Sequence, residues 1–107
     1  METFEPTRRF ERLPVALPVT GWAPQVQEAA LSGTVWYLGE GGLMVEFPVE
    51  LRRGTSVRVV LPTFQGLVEV EGTVVWTTSR GSVIRHGVAF PEPKGPDFIL
   101  RVLGEEH

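Results

Sequence analysis

In this chain the apolar residues recur at every second position in short runs: Leu13, Val15, Leu17 and Val19; Leu43, Val45 and Phe47; Val57, Val59 and Leu61; then Ile84, Val88 and Phe90. A period of two places one set of side chains on one face of a strand, whereas a helix in a bundle needs a period of 3.6. Most of these runs stop at glycine or proline, and 12 Gly with 9 Pro in 107 residues leave little room for long helices. Short strands joined by turns are the expectation. A chain of this length builds one core and buries about two-thirds of its unfolded surface, so a single domain is expected.

Read in order, strand one runs from Leu13 to Thr20, and Pro14 and Pro18 confine it to a sheet edge or a bulged position. Such an edge would offer a second copy of the chain a pairing surface, hence a homodimer. Residues 21–29 lack a sustained period and read as a loop, with Trp22 exposed as an anchor for a partner. Strand two follows at 31–38. The sequence Tyr37-Leu38-Gly39-Glu40-Gly41-Gly42 reads as a tight turn whose glycines supply positive φ, or as a loop that cradles phosphate.

Strand three then carries Leu43, Val45 and Phe47, a turn over Pro48 to Gly54 holds Arg52 and Arg53, and strand four stops at Pro62. Val68, Val70, Val74 and Trp76 share one parity of strand five, with Glu69 and Glu71 on the soluble side, and a turn at Ser79-Arg80-Gly81 leads into strand six. Trp36 and Trp76 are expected in the core or at its rim. The segment Gly95 to Leu103 opens with Pro96 at a first helical position and spaces Phe98, Ile99, Val102 and Leu103 as a helix does. The fold class is mostly β: a small six-stranded antiparallel barrel, closed or nearly so, with one C-terminal α-helix over a mouth.

The residues for catalysis are too few. There is no cysteine, His86 shares parity with the apolar Ile84, Val88 and Phe90, His107 is terminal, and the single aspartate, Asp97, suits the start of the helix. Neither a hydrolytic triad nor a metal site can be assembled from these, so a non-enzymatic protein without a metal or cofactor is expected. The formal net charge of -3 provides no field that would hold a nucleic acid, so any anion must be met by a local cluster. Nine of the ten cations are arginine, and the tightest group is Arg8, Arg9 and Arg12, in a polar arm over residues 1–12 that precedes a barrel over residues 13–107. The first residues lack the apolar stretch of a signal peptide, and no apolar run approaches membrane-spanning length. A cytoplasmic protein is the expectation.

Three features now stand in one order: the arm Arg8-Arg9-Phe10-Glu11-Arg12, the glycine turn between strands two and three, and the late strand Gly87-Val88-Ala89-Phe90. In this order they resemble the PilZ domain, a six-stranded barrel with a C-terminal helix that binds the bacterial second messenger cyclic di-GMP through an RxxxR arm and a (D/N)xSxxG turn. The resemblance covers nearly the whole chain. It implies that Arg8 and Arg12 are the two arm arginines, with Arg9 as the extra cation beside the first, and that Gly42 is the final glycine of the turn. Tyr37 stands where the family has Asp or Asn, and Gly39 where it has Ser. The implied ligand-binding set is therefore Arg8, Arg9, Arg12, Tyr37, Gly39 and Gly42.

A guanidinium fork meets the O6 and N7 acceptors of guanine and also phosphate, whereas Gly39 brings no side-chain donor to the turn. Two readings stay open: a cyclic di-GMP receptor that signals to an effector protein through ordering of its arginine arm, and a degenerate relative that binds no nucleotide and works through protein contacts alone.

Overall fold

The computed structural model describes residues 12–24 and 26–104, with the backbone alone at 27–29. The chain forms β1 (Arg12–Ala23), β2 (Val26–Gly39), β3 (Gly42–Glu46), β4 (Ser56–Thr63), β5 (Gly66–Arg80), β6 (Val83–Ala89) and one helix, α1 (Pro96–Leu103). All neighbouring strands are antiparallel, and they close into a barrel in the order β1-β2-β3-β6-β5-β4. The alternation explains the interior. Val35, Leu38, Val45, Val57, Val59, Leu61 and Val74 are fully buried, while Arg58, Glu69 and Glu71 lie on the outside. Pro96 opens α1 and Asp97 lies in its first turn; Phe98, Ile99 and Val102 turn into the common core, where Phe98 meets Phe90 edge to face at 6.0 Å.

Strand one is not a simple edge. At its C-terminal end Thr20, Gly21 and Trp22 pair with Val60, Val59 and Arg58 of β4, while the stretch carrying Pro14 and Pro18 pairs with β2 alone. Both prolines thus lie where the strand has a neighbour on one side only, and a register shift between Pro14 and Leu17 adds the expected bulge. Among the described residues this stretch pairs on one side only, as an edge does.

Residues 21–29 are also not a loop: β1 continues to Ala23, β2 begins at Val26, and Ala23 pairs with Val26 across a tight connection. Trp22 is accordingly half-buried in a strand, with the Arg58 guanidinium 5.2 Å from its ring centroid. Pro62 does not end β4, which runs on to Thr63, and Pro62 pairs with Leu67 of β5. The turn between β5 and β6 is where it was expected, and Gly81 there adopts φ 61°, the left-handed region that favours glycine.

Candidate ligand-binding face

The outer surface of the barrel is assembled from residues that skip the core parity. A register shift between Val35 and Tyr37 inserts Trp36 as an extra residue, so Val35 and Leu38 both remain inside although they are three apart. Trp36 and Tyr37 are thereby both left out of the core. A second shift, between Val74 and Trp76, does the same on β5: Val74 is buried, Val75 is extra, and Trp76 lies outside at 36% exposure. This corrects the expectation of a core or rim position for Trp76. The alternation around it gives no sign of the bulge, and the available clue is a glycine on the neighbouring strand, since an aromatic ring tends to cover a glycine across a sheet.

The register then lays out a continuous outer row. Pro14 faces Tyr37, Tyr37 faces Met44, Met44 faces Gly87 and Gly87 faces Trp76, across five strands. A β-carbon on Gly87 would run into the indole of Trp76, so the ring lies directly on that glycine. Met44 is only 8% exposed yet stands apart from the interior cluster. Arg12 begins β1 opposite Gly39 and brings its guanidinium to 5.7 Å from the ring centroid of Tyr37, itself 39% exposed. At a distance of this size a cation is attracted by the ring face.

One arginine of the expected set therefore meets Tyr37 at the end of β2 where the glycine turn begins. Arg8 and Arg9 lie outside the described residues. Gly39, Gly41 and Gly42 do not supply positive φ, contrary to the simple turn reading. Gly42 is required for another reason: it pairs with Ala89, and a β-carbon there would collide with the carbonyl oxygen of Val88. A backbone oxygen cannot move aside as a side chain can. The turn is tied down by Phe90 N–H donating to the Gly41 carbonyl at 2.9 Å and Lys94 N–H to the Glu40 carbonyl at 2.8 Å.

One row further along, Glu46 of β3 gathers two partners that sequence reading did not bring together. Trp36 Nε1–H donates to Glu46 Oε1 at 3.0 Å, and Arg85 Nε lies 3.5 Å from the same oxygen, with its guanidinium 5.7 Å from the Trp36 ring centroid. Their positions follow from the register, in which Glu46 pairs with both Thr34 and Arg85. On the inner side of β6, His86 is fully buried, as its parity implied. Burial holds the imidazole below its ordinary pKa, against smaller opposing effects of the Val45 carbonyl and the Glu50 carboxylate. Among the described residues no group of three or more His, Asp or Glu side chains could hold a metal ion, and no helix is long and apolar enough to cross a membrane.

The geometry can be compared with known proteins. The motility inhibitor MotI/DgrA of Bacillus subtilis superposes with a TM-score of 0.70 at 15% identity, over 91% of this chain and 48% of that one, so the chain spans about half of its length. The PilZ domain of YcgR from Escherichia coli, in a structure with c-di-GMP, gives 0.69 at 14% identity over 91% of this chain and 86% of that one. The PilZ domain of CeSA from a cellulose-synthesizing bacterium gives 0.62 at 20% identity, over 91% and 99%. A comparison with curated proteins finds no match. The sequence profile of the PilZ domain matches residues 6–102. With nearly its whole length matched, and with the closed six-stranded barrel and terminal helix of its structural neighbours, the chain belongs to the PilZ domain family.

Proposed function

We propose that this domain is a c-di-GMP receptor whose arm, residues 1–12, settles over the ligand on the outer face beside Tyr37 and the turn to Gly42. The observation that carries this reading is the guanidinium of Arg12 against the exposed ring of Tyr37, at the head of a row that continues to Trp76. A guanidinium fork and flat aromatic faces suit a ligand with two guanines and two phosphates: the fork meets phosphate or the guanine O6 and N7 edge, and the rings stack. The solved YcgR domain with c-di-GMP supports the ligand class. In this reading Arg8 and Arg9 join Arg12 in the arm, Gly39 and Gly42 form the floor of the turn, and the domain acts by binding, in the cytoplasm. The settled arm then presents a new surface to a separate effector protein.

Tyr37 and Gly39 favour a second reading. The family motif has Asp or Asn and Ser there, and each lost polar contact costs about 1 to 3 kcal/mol. Two such losses lower affinity by roughly thirtyfold or more, which would leave an adaptor that binds protein alone. Isothermal titration of c-di-GMP into the purified domain at moderate salt, with GMP and cyclic AMP as controls, separates the two. The receptor gives saturable heat with a dissociation constant in the low micromolar range, on the order of -8 kcal/mol. Absence of heat up to about a millimolar ligand, on the order of -4 kcal/mol, assigns the domain to the adaptor reading.

A further inference from the structure

His86 is the fully buried polar side chain among the described residues, and no ligand reading uses it. Its two ring nitrogens hold the connection between β3 and β4 to the barrel. Nε2 lies 3.0 Å from the backbone N of Leu51, which donates to it, and Nδ1 lies 3.2 Å from the carbonyl oxygen of Val45. A carbonyl only accepts, so Nδ1 carries the proton and Nε2 the lone pair. The two partners together select one neutral tautomer. Leu51, fully buried, is held on its other side by Thr77 Oγ1, which donates to the Leu51 carbonyl at 2.8 Å. Ser79 Oγ donates to Glu50 at 3.2 Å, and the end of the connection is fixed by Gly54 N–H to Val74 O at 2.7 Å and Thr55 N–H to Arg52 O at 3.0 Å.

We propose that His86 is a proton-sensitive latch: its neutral ring fastens the 48–55 connection, with Arg52 and Arg53, to the barrel, and protonation releases that connection locally. A proton added at Nε2 would set two N–H groups against each other and leave the Leu51 amide buried without an acceptor. The groups around the ring cannot compensate fully. Thr77, opposite on β5, is uncharged, and Phe47 meets the ring at 5.8 Å. Arg85 on the same strand turns outward to Glu46 of β3, and Arg52 belongs to the connection itself. The carboxylate that favours the charged ring is Glu50, whose influence is smaller than that of burial.

The sign follows directly. The closed state holds the ring below its ordinary pKa while an opened connection lets it titrate normally, so the open form binds more protons as pH falls below about 6.5. Opening therefore becomes easier in acid. From pH 7.5 to 5.5 the opening equilibrium should rise by up to about tenfold, the limit set when an open ring with an ordinary pKa gains a proton that the closed ring does not take up.

The test is native-state amide exchange on the whole chain across this pH range, corrected for intrinsic exchange, comparing Leu51 with Val59 in β4. The latch predicts that opening at Leu51 rises relative to Val59 as pH falls, by up to about tenfold. His86→Gln offers an acceptor and a donor that do not titrate, and it should abolish that rise while leaving Leu51 protected. Parallel changes at Leu51 and Val59, or an unchanged pH response in His86→Gln, would overturn the proposal. Long-range nitrogen shifts showing the proton on Nε2 at neutral pH would overturn it independently.

Discussion

Three consecutive residues of β6 contrast the two sides of the barrel wall. Arg85 and Gly87 face out, where a partly exposed guanidinium shares Glu46 with Trp36 and a bare glycine carries the ring of Trp76. His86, between them, faces in and makes both of its bonds to backbone with no exposure to solvent. Outside, polar groups have water as an alternative partner, so an exposed ion pair such as Arg58 with Glu69 contributes about 0 to 1 kcal/mol. Inside, no alternative partner exists, and each group left unpaired costs its full desolvation. The wall thus separates residues that can vary for binding from residues that hold the fold.

The strongest way to break this comparison is His86→Ala. It leaves the Leu51 amide and the Val45 carbonyl without a partner and opens a cavity, and urea unfolding at pH 7.5 should show a loss of about 3 to 5 kcal/mol. A loss below about 1 kcal/mol, within the range of ordinary substitutions, would mean that water or a neighbour replaces the imidazole. Next comes Gly42→Ala, where the added carbon meets the Val88 carbonyl and forces β3 and β6 apart. Overpacking of this kind costs about 1 to 3 kcal/mol, and a wild-type thermal midpoint would show that the pair of strands adjusts freely.

The smallest effect on stability belongs to Arg12→Ala, within about 0.5 kcal/mol. The same substitution should weaken c-di-GMP at least about tenfold, equivalent to 1.4 kcal/mol. If Arg12→Ala destabilised the free domain as much as His86→Ala, the outer face would be structural and the comparison would fail.

The barrel and helix were legible because period-two runs such as Val57, Val59 and Leu61 map directly onto an inner wall, and because Pro96 marks a helix start. The inward His86 was legible for the same reason. What parity does not reveal is an inserted residue: the bulges at Trp36 and Val75 each turn an aromatic ring outward, and no local feature of the sequence announces them. Residues 21–29 were misread because Pro24 interrupts what are two strands with a tight connection, and Gln25 leaves no glycine or Asn-Gly signal. Of the candidate site, Arg12, Tyr37, Gly39 and Gly42 come together around the start of the turn, whereas Met44 and Trp76 emerge only from the cross-strand register. The arm over residues 1–12 lies, apart from Arg12, outside the described residues.

The seam that closes the barrel is its shortest: β1 meets β4 through Thr20, Gly21 and Trp22 alone, whereas β4 and β5 pair from Ser56 with Thr73 to Thr63 with Gly66. Trp22 and Arg58 are also 36 positions apart in the chain, so joining them closes the longest loop between neighbouring strands apart from the β3 to β6 pairing. Loop-closure entropy opposes such a contact until the hairpins on either side exist, which orders the folding reaction. Loop closure therefore places both the β1–β4 and the β3–β6 junctions after the β1–β2 and β4–β5 hairpins, and with three residue pairs against five the β1–β4 seam closes the barrel by the shorter ladder.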